Sequence, residues 1–348
     1  MLKVAVLGGS GYTGAELVRL LLSHPGVEVT AVTSERSSGL PLSDVLIQFR
    51  NTELKFESAD LKALTKKADL FFLCLPHKTS QETVAFLHNA GKRVIDLSAD
   101  YRLKSAEVYS EWYKTPHHYA PLLKSAVYGL PELYRKKIRK ASIIANPGCY
   151  PTSAILGLAP LMGKDFIDPH SIIIDSKSGT SGAGRSPSQP FMYCEVNESV
   201  KAYAVTVHRH TPEIEQELST LLKKDIHVVF TPHLMPMDRG ILSTMYVTLR
   251  KKTGIEDIQN LYRTFYKNEP FVRLLGQGLY PSTKAVKGSN YCDISLFLDN
   301  RSVKGQTLII VSAIDNLIKG ASGSAVHNMN IMYGFDETAG LLSSPIFP

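Results

Sequence analysis

Cysteine is scarce in this chain: there are four in 348 residues, at positions 74, 149, 194 and 292. None form a C-x-x-C pair, and none are spaced from a histidine as a zinc site requires. That excludes a disulfide framework and a zinc-finger module, and no metal is expected. Long apolar runs are also missing. None approaches the roughly 18 residues of a membrane span, so no membrane partner is expected. The opening Met1–Leu7 reads as a strand rather than a signal peptide. Together with scattered thiols, this points to the reducing cytoplasm. Internal repeats and low-complexity tracts are absent. Lys and Arg outnumber Asp and Glu by 39 to 32, a formal charge of +7, but the excess is spread along the chain. The densest stretch, Tyr134–Lys140, has no interleaved aromatics to stack bases, so it reads as a solvated helical face and no nucleic acid is expected. A mild positive field suits an anionic substrate and cofactor instead.

What remains describes a globular enzyme. The length can bury a large core and split into two domains, and 44% hydrophobic with 20% charged residues is ordinary. Near the N-terminus, a strand over Lys3–Gly8 runs into Gly9–Gly14 and then a helix from Ala15 to Leu22. The glycines make G-x-G-x-x-G in its strand–turn–helix context. One glycine turns the chain, one lets the backbone approach a pyrophosphate and one allows close packing of helix on strand. Gly8, Ser10, Gly11, Tyr12, Thr13 and Gly14 are therefore candidate dinucleotide contacts. The next strand, Val27–Thr33, closes on Ser34, Glu35, Arg36 and Ser37. A carboxylate there favours NAD, whereas Arg and hydroxyls favour the 2′-phosphate of NADP. Ser34, Arg36 and Ser37 tilt the choice to NADP.

Alternation continues with helices over 60–67 and 80–90 and strands over 68–75 and 92–96; Thr79 or Ser80 is the expected cap of the second helix. This is the pattern of a Rossmann-type α/β domain, a doubly wound parallel sheet, with ligands outside the carboxyl ends of the strands. Those ends are Gly8–Gly14, Ser34–Ser38, Leu75–Lys78 with Pro76, and Leu97–Arg102. After residue 150 strands outnumber helices: Ser171–Lys177, His227–Thr231, Ile241–Leu249, Asp293–Leu298 and Gln306–Ser312. An α+β domain with a mixed sheet is expected, open on one face, as a dimer interface requires. The expected division is 1–147 with 315–348 for the dinucleotide domain and 148–314 for the catalytic and dimerisation domain. A helix rich in small residues is expected from Asp315.

Cys149 is the candidate nucleophile. Pro151 suits the first turn of a helix over the apolar run from Ser153 to Leu161, which places the sulfur at a helix N-terminus where the dipole favours a thiolate. The alternative for a lone cysteine is a small buried hydrophobe. His210 adjoins Thr211, an expected N-cap, and Pro212, and is a candidate acid–base group; His208 is the alternative. Ser176–Arg185 offers glycines and hydroxyls for an anion nest, with charge from Lys177 and Arg185; the alternative is a surface loop.

Six segments in one order, Gly8–Gly14, Leu97–Arg102, Asn146–Thr152, Ser178–Arg185, His208–Glu213 and Asp315–Ala321, resemble the N-acetyl-gamma-glutamyl-phosphate reductases of arginine biosynthesis, within the aspartate-semialdehyde dehydrogenase superfamily. The resemblance spans essentially the whole chain. It implies reduction of a small-molecule acyl phosphate by NADPH through a thioester on Cys149, with His210 as acid–base group. It further implies cofactor contacts at Gly182, Ala183 and Asn316, and substrate contacts at Arg102, Asn146, Ser178, Gly179, His208 and Glu213. Assembly as a homodimer or homotetramer is implied too. The alternatives are the reductase of the one-carbon-longer aminoadipyl phosphate and a non-catalytic dinucleotide-binding protein; a hydrolytic cysteine enzyme is opposed by the glycine motif.

Overall fold

The structure, a computed structural model, describes residues 1–163, 165–301 and 305–346. It divides into two compact units. The first comprises 1–148, 184–186 and 321–342; the second comprises 149–183, 187–320 and the described residues after 342.

The first unit holds seven strands: β1 (Leu2–Leu7), β2 (Val27–Thr33), β3 (Phe56–Glu57), β4 (Leu70–Leu73), β5 (Arg93–Asp96), β6 (Ala126–Tyr128) and β7 (Ile143–Ala145). They pair in the order β3-β2-β1-β4-β5-β7-β6, parallel throughout. Val4–Leu7 and Leu70–Leu73 are buried on both faces, which is why they read as unbroken apolar runs rather than alternating ones. Between β1 and β4 the strand order reverses, and the carboxyl ends there form the ligand-binding edge of such a sheet. Short β3, β6 and β7 leave too little sequence for periodicity to mark them. The helix expected from Asp315 begins as the π-helical segment Ile318–Ser322 and continues as the α-helix Gly323–Tyr333.

The second unit holds β8 (Ile173–Ser178), β9 (Lys201–Ala202), β10 (Val229–Leu234), β11 (Ile241–Thr248), β12 (Val272–Leu274), β13 (Cys292–Asp299) and β14 (Thr307–Ile314). Their order is β12-β13-β14-β11-β8-β10-β9. The sheet is mixed: β8–β10 and β12–β13 are parallel, the other pairs antiparallel. Burial alternates along β8 and β11. One face packs under the helices Cys149–Leu158 and Ile255–Phe265, and the other stays open. Residues 315–320, expected with the first domain, pack in the second unit, as do the described residues after 342. The reason is local: the Asp315 carboxylate accepts the Gly288 amide at 2.8 Å, and the Ile346 amide donates to the Lys287 carbonyl at 2.8 Å. Among the described residues no helix is long and apolar enough to cross a membrane.

Candidate active site

At the end of β1, Gly8 adopts φ +87°, and a Cβ there would stand 2.4 Å from the Cys74 carbonyl oxygen; one on Gly14 would stand 2.3 Å from the Gly8 carbonyl oxygen. Sterics therefore demand glycine at both. Gly11 differs: a Cβ would meet nothing nearer than 4.0 Å, and no side chain caps the helix Tyr12–Leu22 that follows. An uncapped helix start behind an open glycine fits a pyrophosphate. At the end of β2, Ser34 is buried with its Oγ 2.9 Å from Ser10 Oγ, Ser37 is half-buried, and Arg36 is exposed. Arg185 donates to the carbonyls of Ser10 (3.1 Å) and Val45 (3.3 Å). Lys177 pairs with Asp175 at 2.7 Å.

The Pro76 loop is held by a carboxylate from the Leu97–Arg102 segment. Asp100, fully buried, accepts the amides of Lys78 (2.8 Å) and Ser80 (3.0 Å) and the Tyr109 hydroxyl (2.8 Å). It does the capping expected of Thr79 or Ser80; Thr79 instead donates its hydroxyl to the Pro76 carbonyl at 2.6 Å. Burial, reinforced by the Asp100 carboxylate, pushes Asp96 up to about 7 against the opposing pull of Ser98 and Arg102. Arg102 is buried, donating to the carbonyls of Asn146 (2.7 Å) and Leu97 (2.9 Å). The Asn146 carboxamide donates to the Ala321 carbonyl at 3.0 Å and accepts from Asn328 at 3.1 Å.

In the second unit Cys149 is the first residue of its helix and is half-buried. Tyr150, next in the chain, packs edge-on against both His208 (centroids 5.4 Å apart) and His210 (5.9 Å), and its hydroxyl lies 2.9 Å from that of Tyr203. Burial pushes Tyr203 up to about 12, with negative charge on Cys149 adding to the push. The two histidine rings meet at 4.9 Å. The His210 amide donates to His208 Nδ1 at 3.1 Å, so that nitrogen carries no proton. Burial, with help from the Arg209 charge, brings His208 down to about 4. His210 itself, rather than Thr211, occupies the cap position of the helix Thr211–Leu222, and Glu213 is buried in its first turn. Tyr150 and Tyr203 were not foreseen; the aromatic beside the cysteine was the available signal.

Asn316 is buried, accepting the Gly240 amide at 2.8 Å and donating to Ser181 Oγ at 3.0 Å. A Cβ on Gly182 would lie 3.7 Å from both Asn316 Nδ2 and Ser178 Oγ, so Ser178, Gly182 and Asn316 come together, with Ala183 closing the same short turn. On Gly179 a Cβ would strike the Asp238 carbonyl oxygen at 2.6 Å.

Two family descriptions match the chain: "Semialdehyde dehydrogenase, NAD binding domain" over residues 3–141 and "Semialdehyde dehydrogenase, dimerisation domain" over 149–316. It is 54% identical to the N-acetyl-gamma-glutamyl-phosphate reductase of Desulfotalea psychrophila and 55% identical to that of Geobacter metallireducens, in each case over 100% of both chains. The fold is similar to the aspartate semialdehyde dehydrogenase II of Vibrio cholerae (TM-score 0.74, 16% identity, 96% of this chain and 98% of that one). It is also similar to the Candida albicans aspartate semialdehyde dehydrogenase solved with NADP (TM-score 0.72, 16% identity, 96% and 99%).

Proposed function

The chain belongs to the N-acetyl-gamma-glutamyl-phosphate reductases, within the semialdehyde dehydrogenases, and we infer that it reduces N-acetyl-gamma-glutamyl phosphate to N-acetyl-glutamate semialdehyde and phosphate with NADPH, a step of arginine biosynthesis in the cytoplasm. The observation that carries the site assignment is Cys149 opening a helix while its neighbour Tyr150 packs on the His208–His210 pair.

The Cys149 thiolate attacks the acyl-phosphate carbonyl; an S–C bond forms, the C–O bond to phosphate breaks, and a thioester remains. Sulfur serves because it is both a strong nucleophile and a good leaving group. NADPH, when bound, supplies the hydride that reduces this thioester. His210 takes the thiol proton at the outset and protonates the oxygen of the resulting thiohemiacetal. The C–S bond then breaks, the oxygen's proton returns to His210, and the semialdehyde leaves. His208, neutral and accepting the His210 amide, holds the base in place. Gly8, Ser10, Gly11, Tyr12, Thr13, Gly14 and Pro76 cradle the dinucleotide, with Ser34, Arg36 and Ser37 at its 2′-phosphate and Gly182, Ala183 and Asn316 at the nicotinamide. Arg102, Asn146, Ser178, Gly179 and Glu213 shape or contact the substrate site. The open sheet face joins two copies.

Acyl phosphate supplied without NADPH should leave an acyl adduct on the Cys149 peptide by mass spectrometry. Cys149→Ser should abolish reduction and still bind NADPH. An adduct on another cysteine, or faster turnover of the aminoadipyl than of the glutamyl substrate, would sink this assignment.

A further inference from the structure

We propose that Gly320, and the Asp315 turn that presents it, are positioning residues that seat the Cys149 nucleophile. A Cβ built on Gly320 lies 2.8 Å from Cys149 Cβ and 3.2 Å from its Cα, well inside the roughly 3.5–4.0 Å of a carbon–carbon contact. Backbone conformation does not require glycine there, because Gly320 is not among the residues with positive φ. What requires it is Cys149. Nor is this ordinary core crowding. A Cβ on Gly157, in the same helix as Cys149, would meet Met245 Cε at 2.4 Å and Sδ at 2.7 Å, the movable end of a flexible side chain. Gly320 faces the main-chain atom and first side-chain atom of the nucleophile itself, which have no rotamer to yield.

The segment bearing Gly320 is braced. Ile318–Ser322 is a π-helical turn, a rare form that clusters at functional sites. The Gly320 amide donates to the Asp315 carbonyl at 3.0 Å, five residues back. Asp315 is fully buried. Its Oδ1 accepts the amides of Leu317 (2.8 Å) and Ile318 (3.1 Å), and its Oδ2 accepts that of Gly288 (2.8 Å), with Arg239 Nη1 3.5 Å from Oδ2. Both carboxylate oxygens are engaged, so the turn has no slack by which Gly320 could retreat. Cys149 is pinned at Cα and Cβ, and only rotation about χ1 is left to the sulfur.

The proposal rests on Cys149 being the nucleophile, and its test reads the seat separately from turnover. In the full-length protein, iodoacetamide labelling of Cys149 is measured against exposed Cys194 by peptide mass spectrometry, with kcat and NADPH Kd alongside. Gly320→Ala should lower the Cys149-to-Cys194 labelling ratio and kcat together, roughly 10- to 100-fold, the range a displacement of about 1 Å commands, with NADPH Kd unchanged. Gly157→Ala should lower thermal stability and leave the ratio within twofold. If Gly320→Ala does not fold, Asp315→Asn decides: a carboxamide has one acceptor oxygen where two are needed, so the ratio should again fall. A ratio within twofold of wild type in whichever of the two folds overturns the seating. Full activity in Cys149→Ser would instead overturn the nucleophile assignment and this proposal with it.

Discussion

His208 and His210 differ by two positions and by their chemistry. With Nδ1 accepting the His210 amide and burial holding it down to about 4, His208 is neutral across the physiological range and is a poor base. In the proposed mechanism the proton work therefore falls to His210. His210→Asn should lower kcat by roughly two to four orders of magnitude, the usual range for losing an acid–base group, measured by steady-state NADPH oxidation. His208→Asn should do less, since a carboxamide oxygen can still accept the His210 amide, and His208→Ala should do more than His208→Asn. Linkage adds a stability test. A histidine brought from its ordinary 6.5 to about 4 contributes stability that is present above pH 6.5 and lost as pH falls through 4. His208→Asn should therefore flatten the urea midpoint against pH between 6.5 and 4; an unchanged slope would contradict the neutral assignment. On the cofactor side, exposed Arg36 is the residue free to move toward a 2′-phosphate. Arg36→Ala should remove about 1.5–3 kcal/mol of the preference for NADPH over NADH, the worth of a charge-assisted hydrogen bond, read from paired Kd values.

The helix Cys149–Leu158 is fastened at both ends and in its middle. Ser153, one turn beyond the nucleophile, bonds Ser243 Oγ (2.9 Å) and Ser312 Oγ (2.7 Å), and Ser176 joins Ser243 at 2.7 Å. The four buried hydroxyls thus run from the helix across β14, β11 and β8. At the far end Tyr262 donates to the Gly157 carbonyl at 2.6 Å and Tyr266 to that of Leu156, satisfying acceptors a helix end otherwise leaves orphaned. Ser153→Ala should cost about 1–3 kcal/mol by stranding buried partners, seen as a lower urea midpoint at constant m-value; an effect below about 0.5 kcal/mol would mean that the hydroxyl chain closes up without it. The sequence made the helix itself legible through Pro151 and the apolar run, and the first strands through continuous hydrophobicity around a glycine motif. The serine chain was not legible, because isolated serines in four separate segments carry no periodic signal until the sheet aligns them. Asp100 was equally hidden: it caps a helix start 20 residues earlier in sequence, where local rules look to Thr79 or Ser80. Asp315, by contrast, acts locally at the start of the helix expected there. Its carboxylate takes the amides of Leu317 and Ile318, two and three residues on, as an N-cap does, and the chain is helical from Ile318, first as a π-helical turn and from Gly323 as an α-helix.

Across the second unit the open sheet face carries one continuous apolar row. Val229 pairs with Ile173, Ile173 with Tyr246, Tyr246 with Ile309 and Ile309 with Phe297, so five side chains from five strands lie abreast, Phe297 extended by a stacked Tyr280 at 5.2 Å. Val229 is 60% exposed, Ile173 45% and Tyr246 37%, a density of solvent-facing apolar groups that a sheet does not carry without a cover. One row away the face turns polar, where Asp175 pairs with Lys177 at 2.7 Å and sits 3.1 Å from His233; an apolar strip edged by charge has the anatomy of an interface core and rim. A second copy fits this face as its cover: in a two-fold contact the same row would meet itself, need no other partner and leave the site residues of the opposite, helix-covered face in place. Light scattering at micromolar concentration should give twice the chain mass or a multiple of it. Replacing Ile173 and Val229 with Asp should dissociate the particle, because four like charges would then be buried across the two-fold axis. A monomeric wild type, or a double variant that keeps the full assembly, would mean that the contact lies elsewhere.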